Sequence, residues 1–157
     1  LFGSPKQRLP RAMDAVDFLD QLYRRRGVKA DFDAVALHPY AADVAELRRQ
    51  VEAVRLTMAR HGDRRSGLYL TEIGWGSAYN PDTVAFEVGL RGQARELRAA
   101  YRYLIANHGR LKLRQVHWFT WKDLAGSCSF CDSSGLFRAG AKFRPKPAWR
   151  PFVTFAR

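Results

Sequence analysis

Apolar positions along the chain follow two alternating periods, one helical and one extended. Residues 10–26 put Met13, Val16, Leu19, Leu22 and Tyr23 on one broad helical face, with Gly27 as the stop. Asp33-Ala34-Val35-Ala36-Leu37-His38 is then a short apolar run that turns polar at its last residue and is closed by Pro39, the pattern of a strand. Residues 42–61 carry Val44, Leu47, Val51, Val54 and Met58 at steps of three and four, ending at Gly62. That is the strongest helical period in the chain. Leu68-Tyr69-Leu70-Thr71-Glu72 reads as a second strand, followed by a loop with Gly and Asn through Asp82. A third helix carries Leu90, Ala94, Leu97, Tyr101 and Leu104 and stops at Gly109, and residues 115–121 form a third strand. After a Gly-, Ser- and Cys-rich loop over residues 122–144, Pro147 opens a last helix with Trp149, Phe152, Val153 and Ala156 inward.

Strands alternating with helices predict a parallel α/β sheet, because parallel neighbours need a crossover that a helix usually supplies. An open doubly wound sheet normally carries a Gly-rich phosphate loop after a strand, and neither G-x-G-x-x-G nor a Walker-type lysine is present. The closed (β/α)₈ barrel is therefore favoured, although eight units take about 250 residues. Three strands, with an apolar stub at Leu1-Phe2-Gly3, make about half a ring. The expectation is the C-terminal half of a TIM barrel, from the end of strand five through helix eight, as one truncated domain over residues 1–157. Strict alternation would turn Glu72 to the lumen with Leu68 and Leu70, and His38 with Ala34 and Ala36. On the third strand it turns His117, Phe119 and Trp121 inward and Val116 and Trp118 toward the helices.

Composition adds a formal charge of +12, from 27 Lys and Arg against 15 Asp and Glu. Arg24-Arg25-Arg26, Arg48-Arg49 and Arg64-Arg65 lie on or just after helical patterns, where cations suit the C-terminal end of the helix dipole. No aromatic is interleaved with them to stack on bases, so they read as solvated helix faces and no nucleic-acid partner is expected. No apolar run approaches the about 18 residues that would indicate a membrane span, so no membrane partner is expected either.

Chemistry-bearing residues collect at the predicted strand ends, where parallel α/β folds place their sites. The endings are His38-Pro39-Tyr40, Thr71-Glu72-Ile73-Gly74-Trp75 and Trp121-Lys122-Asp123. A carboxylate closing an apolar strand needs neighbours to stabilise it, and the Tyr40 hydroxyl and His38 are the available partners. The runs Asp33-Ala34-Val35-Ala36-Leu37-His38-Pro39-Tyr40, Leu70-Thr71-Glu72-Ile73-Gly74-Trp75 and Trp118-Phe119-Thr120-Trp121-Lys122-Asp123 resemble strands six, seven and eight of clan A glycoside hydrolases, most closely bacterial members of families 5 and 39. Gly135-Leu136-Phe137 and Lys146-Pro147-Ala148-Trp149 resemble the usual ending of such enzymes.

The resemblance implies a retaining glycosidase with Glu72 as the nucleophile and a second Glu, after an Asn at the end of strand four, as acid and base. His38 and Tyr40 would orient the nucleophile and line the subsite of the cleaved sugar. Trp121 would be the platform for a sugar ring, Trp75 would serve a neighbouring subsite or cap the barrel mouth, and Asp123 would bind sugar hydroxyls. Glu46, Glu52, Glu87 and Glu96 all fall on helical or loop segments. A retaining site needs two carboxyl groups about 5 Å apart, so the acid/base residue is expected outside this chain, which alone is not expected to turn over. No cofactor and no metal are implied, and the expected partners are a carbohydrate and the missing N-terminal half of the barrel. A noncatalytic carbohydrate-binding barrel remnant is the alternative. Cys128-Ser129-Phe130-Cys131 lacks the further ligands zinc requires and does not open a helix as redox pairs do, so Cys128 and Cys131 are expected to form a small disulfide stapling the long loop of a secreted enzyme.

Overall fold

A computed structural model describes residues 13–79, 85–126, 128 and 130–156. The stub at Leu1-Phe2-Gly3 and the start of the first helix at residues 10–12 lie outside them. The elements in chain order are α1 (Ala15–Tyr23), β1 (Ala34–Leu37), α2 (Val44–Arg60), β2 (Gly67–Ile73), α3 (Gly89–Ala106), α4 (His108–Leu111), β3 (Leu113–Trp118) and α5 (Trp149–Phe155), with one 3₁₀ turn over Val28–Ala30.

Local chemistry sets these boundaries. The Asp14 carboxylate accepts from the Val16 amide at 2.8 Å and caps α1, and Asp43 does the same for α2 through the Glu46 amide at 2.8 Å. Gly62, at φ 75°, takes the left-handed conformation that closes α2 without a Cβ clash. The helix expected to run to Gly109 is broken at Asn107 into α3 and α4. Strand β3 starts two residues earlier than expected and ends at Trp118, where Phe119 N–H donates to the Ile73 carbonyl at 2.8 Å. Beyond that, the Thr120 and Trp121 carbonyls accept from Leu136 and Phe137, so residues 120–121 pair with the returning loop and leave the sheet.

The strands lie in the order β1-β2-β3 with both pairings parallel. Val35 and Leu37 of β1 and Leu68, Leu70 and Ile73 of β2 are buried with Leu19, Leu47, Val51, Val54, Met58, Leu97 and Leu104 of the helices. This single core lies between the helical layer and one face of the sheet. Each fully buried aliphatic side chain in it stabilises the fold by about 1.5–3 kcal/mol, so burial here does most to hold helices to strands. The opposite face carries Ala36, Tyr69 and Gln115 in register, with Ala36 and Gln115 exposed.

The expectation that Leu68 and Leu70 share a face with Glu72 does not hold. Leu70 pairs with Leu37 on the helical side, and the pairing then jumps from Leu70↔Val116 to Ile73↔Trp118. Three residues of β2 therefore span two of β3, which is a bulge at Thr71-Glu72. It breaks the period of two, returning Ile73 to the core while freeing Glu72 for the opposite face. On β3 the expected parity is found: His117 is exposed, and Val116 and Trp118 pack against the helical core. No helix among the described residues is long and apolar enough to cross a membrane.

Candidate active site

Glu72 leaves β2 at the bulge with its side chain about one-third exposed (32%). Its Oε2 accepts a hydrogen bond from the Tyr40 hydroxyl at 2.6 Å and lies 3.3 Å from His38 Nδ1. Both partners come from the three residues that follow β1. The chain there is fixed by Tyr40 N–H donating to the His38 carbonyl at 3.0 Å and by Gln50 Nε2 of α2 donating to the Tyr40 carbonyl at 2.9 Å. Among the described residues no hydrogen bond reaches Glu72 Oε1. One carboxylate oxygen is thus held and the other is available.

The two partners hold fixed protonation states at neutral pH. Burial, and then the hydrogen bond and charge of Glu72, push the Tyr40 phenol far above its usual range, so it remains a donor. Burial pulls His38 below its ordinary value, against the opposing attraction of Glu72, so the imidazole is neutral. An oriented carboxylate between two neutral hydrogen-bonding groups can act as a nucleophile or accept hydrogen bonds from a ligand.

Three phenylalanines that the strand-end motifs do not single out enclose Tyr40. Phe86 stacks on its ring at 5.6 Å, Phe130 stands edge-on at 5.1 Å and Phe119 edge-on at 6.4 Å. Alternation along the third strand places Phe119 inward, but Phe86 and Phe130 lie in loops where no period applies. Phe86 is delivered by the loop after β2, which folds back so that Gly76 N–H donates to the Phe86 carbonyl at 2.8 Å. Phe130 is delivered by the loop after β3, where Cys128 and Cys131 form the expected disulfide. Gly74 allows these elements to meet: a Cβ there would collide with the Phe119 carbonyl oxygen and approach Phe130 Cζ to 3.5 Å.

The structure takes two expected site residues, Trp75 and Asp123, away from the site. Trp75, expected at a subsite or the barrel mouth, is fully buried at 0% exposure and tilted against Trp118 at 6.2 Å. Alternation resumes after the bulge, so Trp75 follows Ile73 into the core. Asp123, expected to bind sugar hydroxyls, accepts at Oδ1 from Lys146 Nζ at 2.5 Å and from Gly135 N–H at 2.8 Å. Its carboxylate is committed to a buried ion pair, since the Lys146 side chain is 1% exposed. Trp121 is 51% exposed and rests on Phe137 at 5.0 Å and edge-on to Trp149 at 5.4 Å. The aromatic of this segment that touches Tyr40 is Phe119. The remaining glutamates serve structure: Glu46 accepts from Ala42 N–H, Glu52 from Tyr103 and Arg110, Glu87 from Ser133, and Glu96 from Val44 N–H and Arg95.

Parallel strands crossing over through helices match the C-terminal part of a (β/α)₈ barrel. Among solved structures the chain is similar to the Clostridium thermocellum endo-1,4-β-D-xylanase 10B CBM22-1–GH10 modules complexed with xylohexaose (TM-score 0.60, 15% identity, 88% of this chain and 25% of that one). It is also similar to the intracellular xylanase of Thermoanaerobacterium saccharolyticum (0.56, 15%, 88% and 38%) and to the Ruminococcus gnavus β-glucuronidase (0.52, 16%, 80% and 22%). The chain spans between 22% and 38% of the length of these three proteins. No family model and no curated protein sequence matches it.

Proposed function

We propose that this chain contributes the nucleophile side of a retaining glycoside hydrolase, acting on O-glycosidic bonds of a glycoside or polysaccharide. The observation that carries the reading is the Glu72 carboxylate, held at Oε2 by Tyr40 at 2.6 Å and, among the described residues, without a hydrogen bond at Oε1. In this reading Oε1 attacks the anomeric carbon while the bond to the leaving group breaks, and an acid/base glutamate outside the chain protonates the departing oxygen. Water then hydrolyses the glycosyl-enzyme with the same outside residue acting as base. Tyr40 keeps the carboxylate turned toward the sugar, neutral His38 lines the subsite without drawing the charge of Glu72, and exposed Trp121 offers a platform for a further ring. The strand-end motifs support families 5 and 39, whereas the similar solved structures include family 10 xylanases. The reaction requires no cofactor or metal. The partners are a carbohydrate and the N-terminal half of the barrel, and the disulfide fits an extracellular location.

The test is Glu72→Gln in the protein with its complete barrel, assayed on aryl glycosides and xylan. The expected result is a fall in kcat of at least about 10³-fold, since an essential nucleophile is lost. A fluorinated glycoside should also add its sugar mass to the peptide containing Glu72. Normal hydrolysis by the variant, or label on another carboxylate, refutes the assignment.

A further inference from the structure

We propose that Phe130, pinned by the Cys128–Cys131 disulfide, is a positioning residue that sets the direction of the Tyr40 hydroxyl and, through it, of the Glu72 carboxylate. The functional half of this proposal rests on Glu72 being the nucleophile; the packing half does not. The Tyr40 ring must be held against swinging about its Cα–Cβ bond for its hydroxyl oxygen to stay 2.6 Å from Oε2, and the rings packed on its sides resist that swing. Phe130 is the ring common to the whole enclosure, standing 5.1 Å from Tyr40, 4.6 Å from Phe86 and 5.8 Å from Phe119. It is nearly fully buried although Cys128 is exposed, so the bridged turn points its aromatic ring inward.

That loop is tied where it would otherwise yield. The disulfide joins residues three apart, Asp132 N–H donates to the Cys128 carbonyl at 3.0 Å, Leu124 N–H to the Cys131 carbonyl at 3.2 Å, and Ser133 N–H to the Phe130 carbonyl at 3.1 Å. The Ser133 carbonyl is in turn gripped by Lys146 Nζ and Ser77 N–H, each at 2.8 Å. A bridge closing so short a loop removes little entropy from the unfolded chain. Its consequence is local: it leaves Phe130 no room to withdraw, and small displacements of a reacting group can cost about a hundredfold in rate.

The experiment follows the Tyr40 ring carbon bearing oxygen by NMR in protein labelled with ¹³C-tyrosine, the signal being assigned with Tyr40→Phe. The samples are the oxidised chain, the chain reduced with dithiothreitol, Phe130→Ala and Phe130→Leu. Tyr23, whose hydroxyl donates to Asp63 at 2.6 Å just past the C-terminal end of α2, serves as the internal reference for an intact fold. The expected result is a Tyr40 signal shifted toward that of a free phenol in Phe130→Ala and on reduction, shifted less in Phe130→Leu, with Tyr23 unmoved. If Phe130→Ala also disturbs Tyr23, the reduced chain and Phe130→Leu decide by the same criterion. A Tyr40 signal unchanged on reduction and in Phe130→Leu overturns the proposal. In the complete barrel, Phe130→Ala should lower kcat by about ten- to a hundredfold while KM changes less than about twofold. Full kcat in that variant, with Glu72→Gln inactive, overturns the positioning role alone. A shifted Tyr40 signal in a barrel that Glu72→Gln does not inactivate supports the packing and removes the nucleophile.

Discussion

Glu72 reaches the open face of the sheet only because β2 breaks its alternation at Thr71, and the same break sends Trp75 into the core. The energetic condition for a partly exposed carboxylate beside an imidazole is that the imidazole stay neutral, and burial of His38 ensures this. A histidine whose folded pKa lies below its unfolded value of about 6.5 takes up protons more readily when unfolded. Its contribution to stability is therefore complete above about pH 6.5 and is lost as pH falls from there through the depressed folded pKa. The charged side chain beside it that opposes the shift is Glu72. Urea midpoints measured between about pH 5 and 7.5 should decline on acidification, and His38→Gln should flatten that decline. Parallel curves for the two proteins would mean that His38 titrates normally and the site is not desolvated.

At the scale of elements, the order of strands and helices and the meeting of His38 and Tyr40 with Glu72 in the candidate site were legible in the sequence, because period and strand-end chemistry are local properties. The bulge was not, since a register shift depends on β3, which lies more than forty residues from Thr71. The partners of Asp123 were hidden for the same reason. Lys146 is 23 positions away, and no local period marks it as buried. Its ammonium donates to Asp123, to Ser77 Oγ at 2.8 Å and to the Ser133 carbonyl at 2.8 Å, joining the loops after β2 and β3 to the segment before α5. Burial pulls the lysine below its usual value while Asp123 works against that. Removing one member of such a pair strands the other, at a cost of about 3–5 kcal/mol. Asp123→Ala should lose stability in that range in chemical denaturation. The double change Asp123→Ala with Lys146→Met should be less harmful than the two single losses added together. Additive losses would show that the pair is not coupled.

For the whole molecule, the decisive feature is a sheet that the described residues cover on one face only. Ala36, Gln115 and His117 are exposed on the opposite face, and β3 is paired along one edge among the described residues. In a closed barrel that face meets side chains from the remaining strands in packed layers. Met13, Phe18, Leu56 and Ile105 add apolar surface on the helical side. Apolar exposure and an unpaired strand edge favour association, and the charge of +12 opposes it by mutual repulsion. The balance depends on ionic strength, because the screening length shortens from about 30 Å at 0.01 M salt to about 10 Å at 0.1 M. The 157-residue chain should therefore sediment close to its monomer mass of 17.9 kDa in dilute buffer and self-associate as salt is raised. Dye binding to apolar surface should persist in the low-salt monomer. Adding a half-barrel that supplies the missing strands should suppress both effects, because it covers the inner face and pairs the edge of β3 together. A chain that remains monomeric and dye-free at every salt concentration would mean that the inner face is already covered within the chain itself, and the reading of an open half-barrel would fall.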